Sequence, residues 1–402
     1  MPDSRRRAIV FGCRDIGLGV IRSLAAKNIA VMAIPHEVYD FAHFSKFVSA
    51  KTERMSPDKE NAKLLDCLFD LNKDWDGALL LPINDPSVLF IARNRRVLAS
   101  RFVPAVQDWE IISRIINKAL LYQQAQEIGV PVPGFFSPYT VESLIQEKDK
   151  LTYPCILKPH ETHKFFPVFQ KKSLVVRNFE ELIDKFTLVK KNNLSVMVSE
   201  IIPGADDHLY NYLSYTDGNG SVLAEVCMQK IRQYPPGFGM ARVSRTVPII
   251  REIKDLSLRL LKSFSYHGFS SVEFKFDRRD YKYKLMEINV RPVLQERLFL
   301  AAGINFPYIT YLDQVEGIRY VSTACEAEIY WIDLIRDLQA FLKWRKREKW
   351  TCADYLKPYF KKKVFCSPFF DDPVPFAVRT LILIKEVLRA SSGLNKRVPR
   401  KR

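Results

Sequence analysis

Val272-Glu273-Phe274-Lys275-Phe276-Asp277 and Tyr283-Lys284-Leu285-Met286-Glu287-Ile288-Asn289 both alternate with a period of two and are separated by a polar turn at 278–280. Successive side chains of a strand point to opposite faces, so this pattern predicts two adjacent antiparallel strands, 272–277 and 284–288. Glu273 then lies on one face of its strand, and Glu287 and Asn289 share a face of the next. Three oxygen ligands can converge on one point, which suits a hard cation such as Mg²⁺ or Mn²⁺ with phosphate and water completing its shell. A solvent-facing hairpin is the alternative, but residues 286–290 are largely apolar and an unpaired carboxylate is costly to bury there.

The preceding chain reads as two kinds of α/β structure. Residues 8–11 and 30–34 are strand-like and flank a helical pattern over 16–27. A further apolar run at 78–81 leads into a helix over 87–98, predicting a small doubly wound parallel domain over residues 1–112. Ligands of such sheets sit beyond the carboxyl ends of the strands, which makes Arg14 and Asp85 candidates to meet a polar substrate. The run Gly12-Cys13-Arg14-Asp15-Ile16-Gly17 lacks the order of a dinucleotide fingerprint, so its glycines read as a tight turn and close helix packing. Asn117 caps a predicted helix over 118–128 that ends at Gly129. Beyond it, strands at 155–158, 173–177 and 196–200, a helix over 179–190, strands at 209–215, 222–231 and 243–249, and a helix over 252–266 predict an α+β region over 113–315.

The chain of 402 residues is 47% hydrophobic and can bury a substantial core. Its seven cysteines form no Cys-x-x-Cys pair, which argues against a disulfide framework or a structural zinc and fits a reducing cytoplasm. The apolar run after Arg5, Arg6 and Arg7 is too short for a signal peptide, and none approaches membrane-spanning length.

The acid pair with Glu287, Asn289 and Arg291 in alternate positions resembles the signature of the ATP-grasp superfamily, over roughly residues 105–312. The resemblance implies that Glu273, Glu287 and Asn289 hold metal ions on the ATP phosphates. It also implies that Arg291 steadies the transferred phosphoryl group and that Lys118 and Lys158 are the two ATP lysines. Glu200, Ile201 and Ile202 resemble the hinge that reads adenine. The stretch from Lys230 to Gly239 is similar to a subgroup of predicted carboligases that includes D-aspartate ligases, which implies that Arg232 points into the active site, with Arg245 near it. The activity implied is ATP-dependent activation of a carboxylate as an acyl phosphate, followed by its transfer to an amine. The rival reading is a nucleotide-binding module without ligase activity. Family members carry a glycine-rich lid after the second lysine; residues 159–172 contain no glycine, leaving His163 or Lys164 as lid candidates and His160 and His163 as loop histidines rather than a metal site.

Residues 316–402 form the expected third region, a basic helical extension. Residues 341–402 hold 17 Lys or Arg against 5 Asp or Glu, a net +12 of the chain's +17. A helix over 376–390 has Arg379, Lys385, Glu386 and Arg389 on one stripe and a wide apolar face of Val378, Leu381, Ile382, Leu383, Ile384, Val387 and Leu388. Such a helix either packs on the body with a basic end at 395–402 or lies on the inner face of an anionic membrane. Nucleic acid ranks third as a partner, because no recognised module is present.

Overall fold

The computed structural model describes residues 6–322, 328–346, 348–367 and 370–391, with side chains in the last helix described to Lys385. The amino-terminal strands Val48–Lys51, Ala30–Ile34, Arg7–Phe11, Leu79–Pro82 and Val103–Pro104 lie in that order in a five-stranded parallel sheet. Both faces are covered. Ile9, Phe11 and Leu80 enter one core, while Ala8, Val10 and Leu79 enter another with Leu18 and Leu24 of the helix Asp15–Ala25. The two glycines of the first turn serve packing, since a Cβ on Gly17 would stand 2.3 Å from the Gly12 carbonyl oxygen. The helix expected over 87–98 is two, Asp85–Arg93 and Arg95–Leu98, divided at Asn94, whose backbone leaves helical geometry.

A four-stranded antiparallel sheet follows, ordered Phe135–Phe136, Val196–Glu200, Cys155–Pro159 and Leu174–Val176. The glycine-free stretch is not a loop but contains the helix Thr162–Phe169, so His163 is a helical residue. Buried Phe165 anchors that helix among Leu157, Leu182 and Phe186.

The third sheet has seven strands, ordered Lys282–Asn289, Gly268–Asp277, Leu209–Thr216, Val222–Tyr234, Met240–Val247, Tyr330–Ile332 and Lys363–Phe365. Alternation divides its residues between two faces: Tyr212, Val272 and Phe274 pack under the helix Arg251–Ser263, while Leu213, Tyr215 and Phe269 meet Phe299 and Trp331. The last two strands belong to the carboxyl-terminal region, which is therefore not purely helical as expected. Its three-residue strands lack the length for periodicity to reveal them.

The final helix Pro373–Ser391 packs on the body. Arg379, read as part of the helix's polar stripe, is buried and pairs with Asp15 at 2.5 Å and with both oxygens of Asp333 at 2.9 Å. Val378 and Ile382 pack against the core of the parallel sheet, and Asp372 just before the helix accepts from Arg22 at 2.9 Å. The side chains of Glu386, Val387, Leu388 and Arg389, and residues 395–402, lie outside the described residues. Among the described residues no helix is long and apolar enough to cross a membrane.

Candidate active site

A cavity of about 500 Å³ lies where the three sheets meet. The seven-stranded sheet supplies its floor. Its edge strand Lys282–Asn289 and the adjacent Gly268–Asp277 set Glu273 directly opposite Glu287 and Ser271 opposite Asn289, and a register shift beside Glu273 leaves Met286 as the extra residue. Each carboxylate carries an ammonium: Lys230 Nζ lies 2.6 Å from Glu273 Oε2, and Lys118 Nζ donates to Glu287 Oε2 at 2.9 Å. Lys118 opens the helix Lys118–Glu127, whose cap Asn117 accepts from the amides of Ala119 and Leu120. The Lys118 charge, acting against burial, holds Glu287 well below the usual carboxylate range. Burial alone would lower the Lys118 amine, but Glu287, joined by Asp85 and Glu273, raises it.

Lys158 comes from the strand Cys155–Pro159 and donates to the Tyr122 hydroxyl at 2.9 Å; that hydroxyl donates to the Met286 carbonyl at 3.1 Å. Burial first, and then the charge of Lys118, bring the Lys158 amine down to about 7. Arg291 Nε donates to Asp85 Oδ1 at 2.8 Å, joining the signature strand to the carboxyl edge of the parallel sheet. Asp85 lines the cavity. Arg14 does not; it faces Glu37 at 3.9 Å.

Ile201 and Ile202 line the cavity, with Leu209 and Met228 adding apolar surface. Glu200 also borders the cavity, but its carboxylate is engaged by the Gly134 amide at 3.2 Å and by Arg279 at 2.5 Å, so it fixes this bend in place.

Arg232 departs from expectation. Its guanidinium is buried in a bidentate pair with Asp337 at 2.8 and 2.7 Å and lies over the Tyr355 ring, outside the cavity lining. The ladder with the next strand slips between Lys230 and Arg232, so Ile231 is an extra residue there. The bulge breaks the alternation that would have put Arg232 on the same face as Lys230. Arg245 also lies outside the lining, donating to Gln229 at 2.8 Å. Neither proposed lid residue reaches the cavity: Lys164 pairs with Glu161, and His163 stands 3.9 Å from the same carboxylate.

Three contributors escaped the sequence reading. Lys172 projects into the cleft from the end of the glycine-free stretch and has no hydrogen bond or ion pair among the described residues. Desolvation within the cleft lowers its amine against the opposing pull of Glu287, although the residue as a whole is exposed. Lys230 was legible as a cation two residues from Met228 on an inward-facing row. Asn211 donates to Glu273 at 3.3 Å while its own Oδ1 is buried without a partner.

These donors fit a hard divalent cation: two opposed carboxylates, the Asn289 amide, and the unpartnered Asn211 oxygen. No group of three or more acidic, histidine or cysteine side chains placed to hold a metal occurs among the described residues, so amide, phosphate and water oxygens would complete its shell. The surrounding lysines give the same space a preference for polyphosphate.

The three-sheet architecture with this cleft is the ATP-grasp fold. Among solved structures, the biotin carboxylase domain of 2-oxoglutarate carboxylase from Hydrogenobacter thermophilus, determined with magnesium ADP and bicarbonate, superposes with a TM-score of 0.62 at 17% identity, covering 81% of this chain and 73% of that one. The L-amino acid ligase from Bacillus licheniformis superposes with a TM-score of 0.58 at 14% identity, covering 77% and 74%. In sequence, the chain is 24% identical over 257 residues to the D-aspartate ligase of Enterococcus faecium, covering 61% of this chain and 60% of that protein, less than two thirds of the relative's length. No protein-family model matches.

Proposed function

We propose that this protein is an ATP- and Mg²⁺-dependent ligase that activates a carboxylate, of an amino acid or related small molecule, and joins it to an amine. The observation that carries this reading is the pair of opposed carboxylates, Glu273 and Glu287, each bearing a lysine within 2.9 Å on the floor of a nucleotide-sized cavity. Residues 113–315 would hold the nucleotide and residues 1–112 part of the acceptor site. Ile201, Ile202 and Met228 offer apolar surface to adenine, and Glu200 keeps the bend rigid. Lys118 and Lys158 neutralise phosphate oxygens, and Arg291 reaches the terminal phosphoryl group from the side of the parallel sheet. A divalent cation held by Glu273, Glu287 and Asn289 would supply charge neutralisation on the β- and γ-phosphates.

In the first step a substrate carboxylate oxygen bonds to the γ-phosphorus as the bond to the bridging oxygen of ADP breaks. In the second, the amine attacks the acyl carbon and inorganic phosphate leaves with its electron pair, the amine's proton passing to solvent. No nucleophilic side chain is needed, and Cys13 and Cys155 take no part. Positioning and charge stabilisation account for the rate. The relatives named as ligases of aspartate and of L-amino acids support a carboxylate–amine pair of this size.

The test is ADP release by the purified protein with ATP, Mg²⁺ and a panel of amino acids and small amines. Release only when two substrates are both present is expected. Tight ATP binding with no turnover across the panel would instead establish a binding module, the reading that the glycine-free lid favours.

A further inference from the structure

The carboxyl-terminal region builds a surface that the cavity does not use. The helix Leu334–Trp344 is clamped to the segment 352–360: Phe341 stacks on Tyr355 with ring centroids 4.3 Å apart, and Tyr359 donates to Asp337 at 2.9 Å. The contacts 337 to 359 and 341 to 355 run in opposite order, so the two segments are antiparallel. In an antiparallel pair of helical segments, the positions one residue beyond the facing ones turn to the same side on both. Those positions are Leu338 and Leu342 on one segment and Leu356 and Phe360 on the other, and Leu334 extends the first row by a turn. All five are exposed, Leu342 at 64% and Phe360 at 83%. Single exposed leucines are ordinary, but two parallel rows on one side form a continuous apolar ridge.

The ridge is bordered by cations. Lys357 and the run Lys361, Lys362, Lys363 flank Phe360, and Arg345 and Lys346 close the far end of the leucine row, all of them exposed. Asp354 is the one exposed acid among the described residues of 334–363, and it is held by Thr351 as a helix cap. We propose that this ridge docks the protein on an anionic membrane surface, with Phe360 and the leucines entering the headgroup boundary and the lysines facing lipid phosphates. The charge decides the occupant. A second copy would bring the same cations against themselves in a two-fold contact, and nucleic acid offers no apolar partner to the leucine row. The contact is peripheral and is distinct from the final helix, whose buried Arg379 ties it to the body.

The test uses the full chain without nucleotide, so its outcome is independent of the ligase reading. Co-sedimentation is expected with vesicles of phosphatidylcholine containing about 30% phosphatidylglycerol, not with phosphatidylcholine alone, and high salt should release the protein. The double variant Leu342→Ser, Phe360→Ser keeps every charge and should weaken binding on the order of tenfold. The triple variant Lys361→Glu, Lys362→Glu, Lys363→Glu should abolish it at physiological ionic strength while leaving the thermal melt unchanged. The proposal is overturned by failure to bind anionic vesicles at low salt, or by equal binding of wild type and the serine double variant. It is equally overturned if light scattering finds a dimer that the double variant abolishes.

Discussion

Two carboxylates set opposite each other on neighbouring strands destabilise a sheet unless cationic charge is placed on them. Lys230 and Lys118 supply that charge to Glu273 and Glu287. Glu287→Gln keeps the shape and removes one anion; ATP turnover should fall about a hundredfold or more, read as ADP release, while far-UV circular dichroism stays native. Lys158 permits a second prediction. Its amine sits at about 7 in the free protein, below its ordinary value, so the ammonium is lost as pH rises through 7. A bound polyphosphate restores it. Between pH 7 and 9, nucleotide binding should therefore take up a proton, measurable by calorimetry in buffers of different ionisation enthalpy, and Lys158→Met should abolish the uptake. The same depressed value means that the unfolded chain binds more protons than the native one above pH 7. This residue's contribution to stability thus rises with pH over that window, and the methionine variant should melt higher at pH 7.

At the scale of elements, the bulge at Ile231 separates two adjacent cations into different roles. Lys230 faces the cavity, whereas Arg232 clamps the helix Leu334–Trp344 through Asp337, which is fully buried. Breaking a buried pair by deleting one partner leaves an uncompensated charge and costs about 3–5 kcal/mol. Arg232→Met should therefore lower stability by roughly that amount in urea titration, with the affinity for ATP unchanged in the material that remains folded. A loss of nucleotide affinity without loss of stability would return Arg232 to the active site. The helix Thr162–Phe169 stands where a glycine-rich lid is expected, and Lys172 at its far side offers a side-chain charge to the same space.

At the scale of the whole molecule, the carboxyl-terminal region ties the sheets together. It supplies two of the seven strands of the largest sheet, and its final helix bridges to the parallel-sheet domain through Arg379 and Asp15. Removing residues from Asp371 onward strips the partners of Asp333, Asp15 and Arg22 together. The truncated protein should melt several degrees lower, as calorimetry would record; an unchanged melt would mean the helix is dispensable to the fold. Much of this architecture was legible beforehand where the signal was local. The strands Ala30–Ile34 and Val196–Glu200 have the expected bounds, the Asn117 cap is present, and the placement of Glu287 and Asn289 on one face of their strand follows from a period of two. Those features depend on backbone geometry and on neighbours a few residues away. What the sequence left open depended on distant partners. A bulge exists only relative to the strand it pairs with, so the face taken by Arg232 could not be read from its own strand. Lys172 enters the cleft from beyond the end of the helix Thr162–Phe169, a placement its own neighbours in sequence do not announce. The inward turn of Arg379 is set by Asp15 and Asp333, which lie 364 and 46 residues earlier in the chain. Periodicity determines which way a side chain points within its element; only long-range packing determines what it meets.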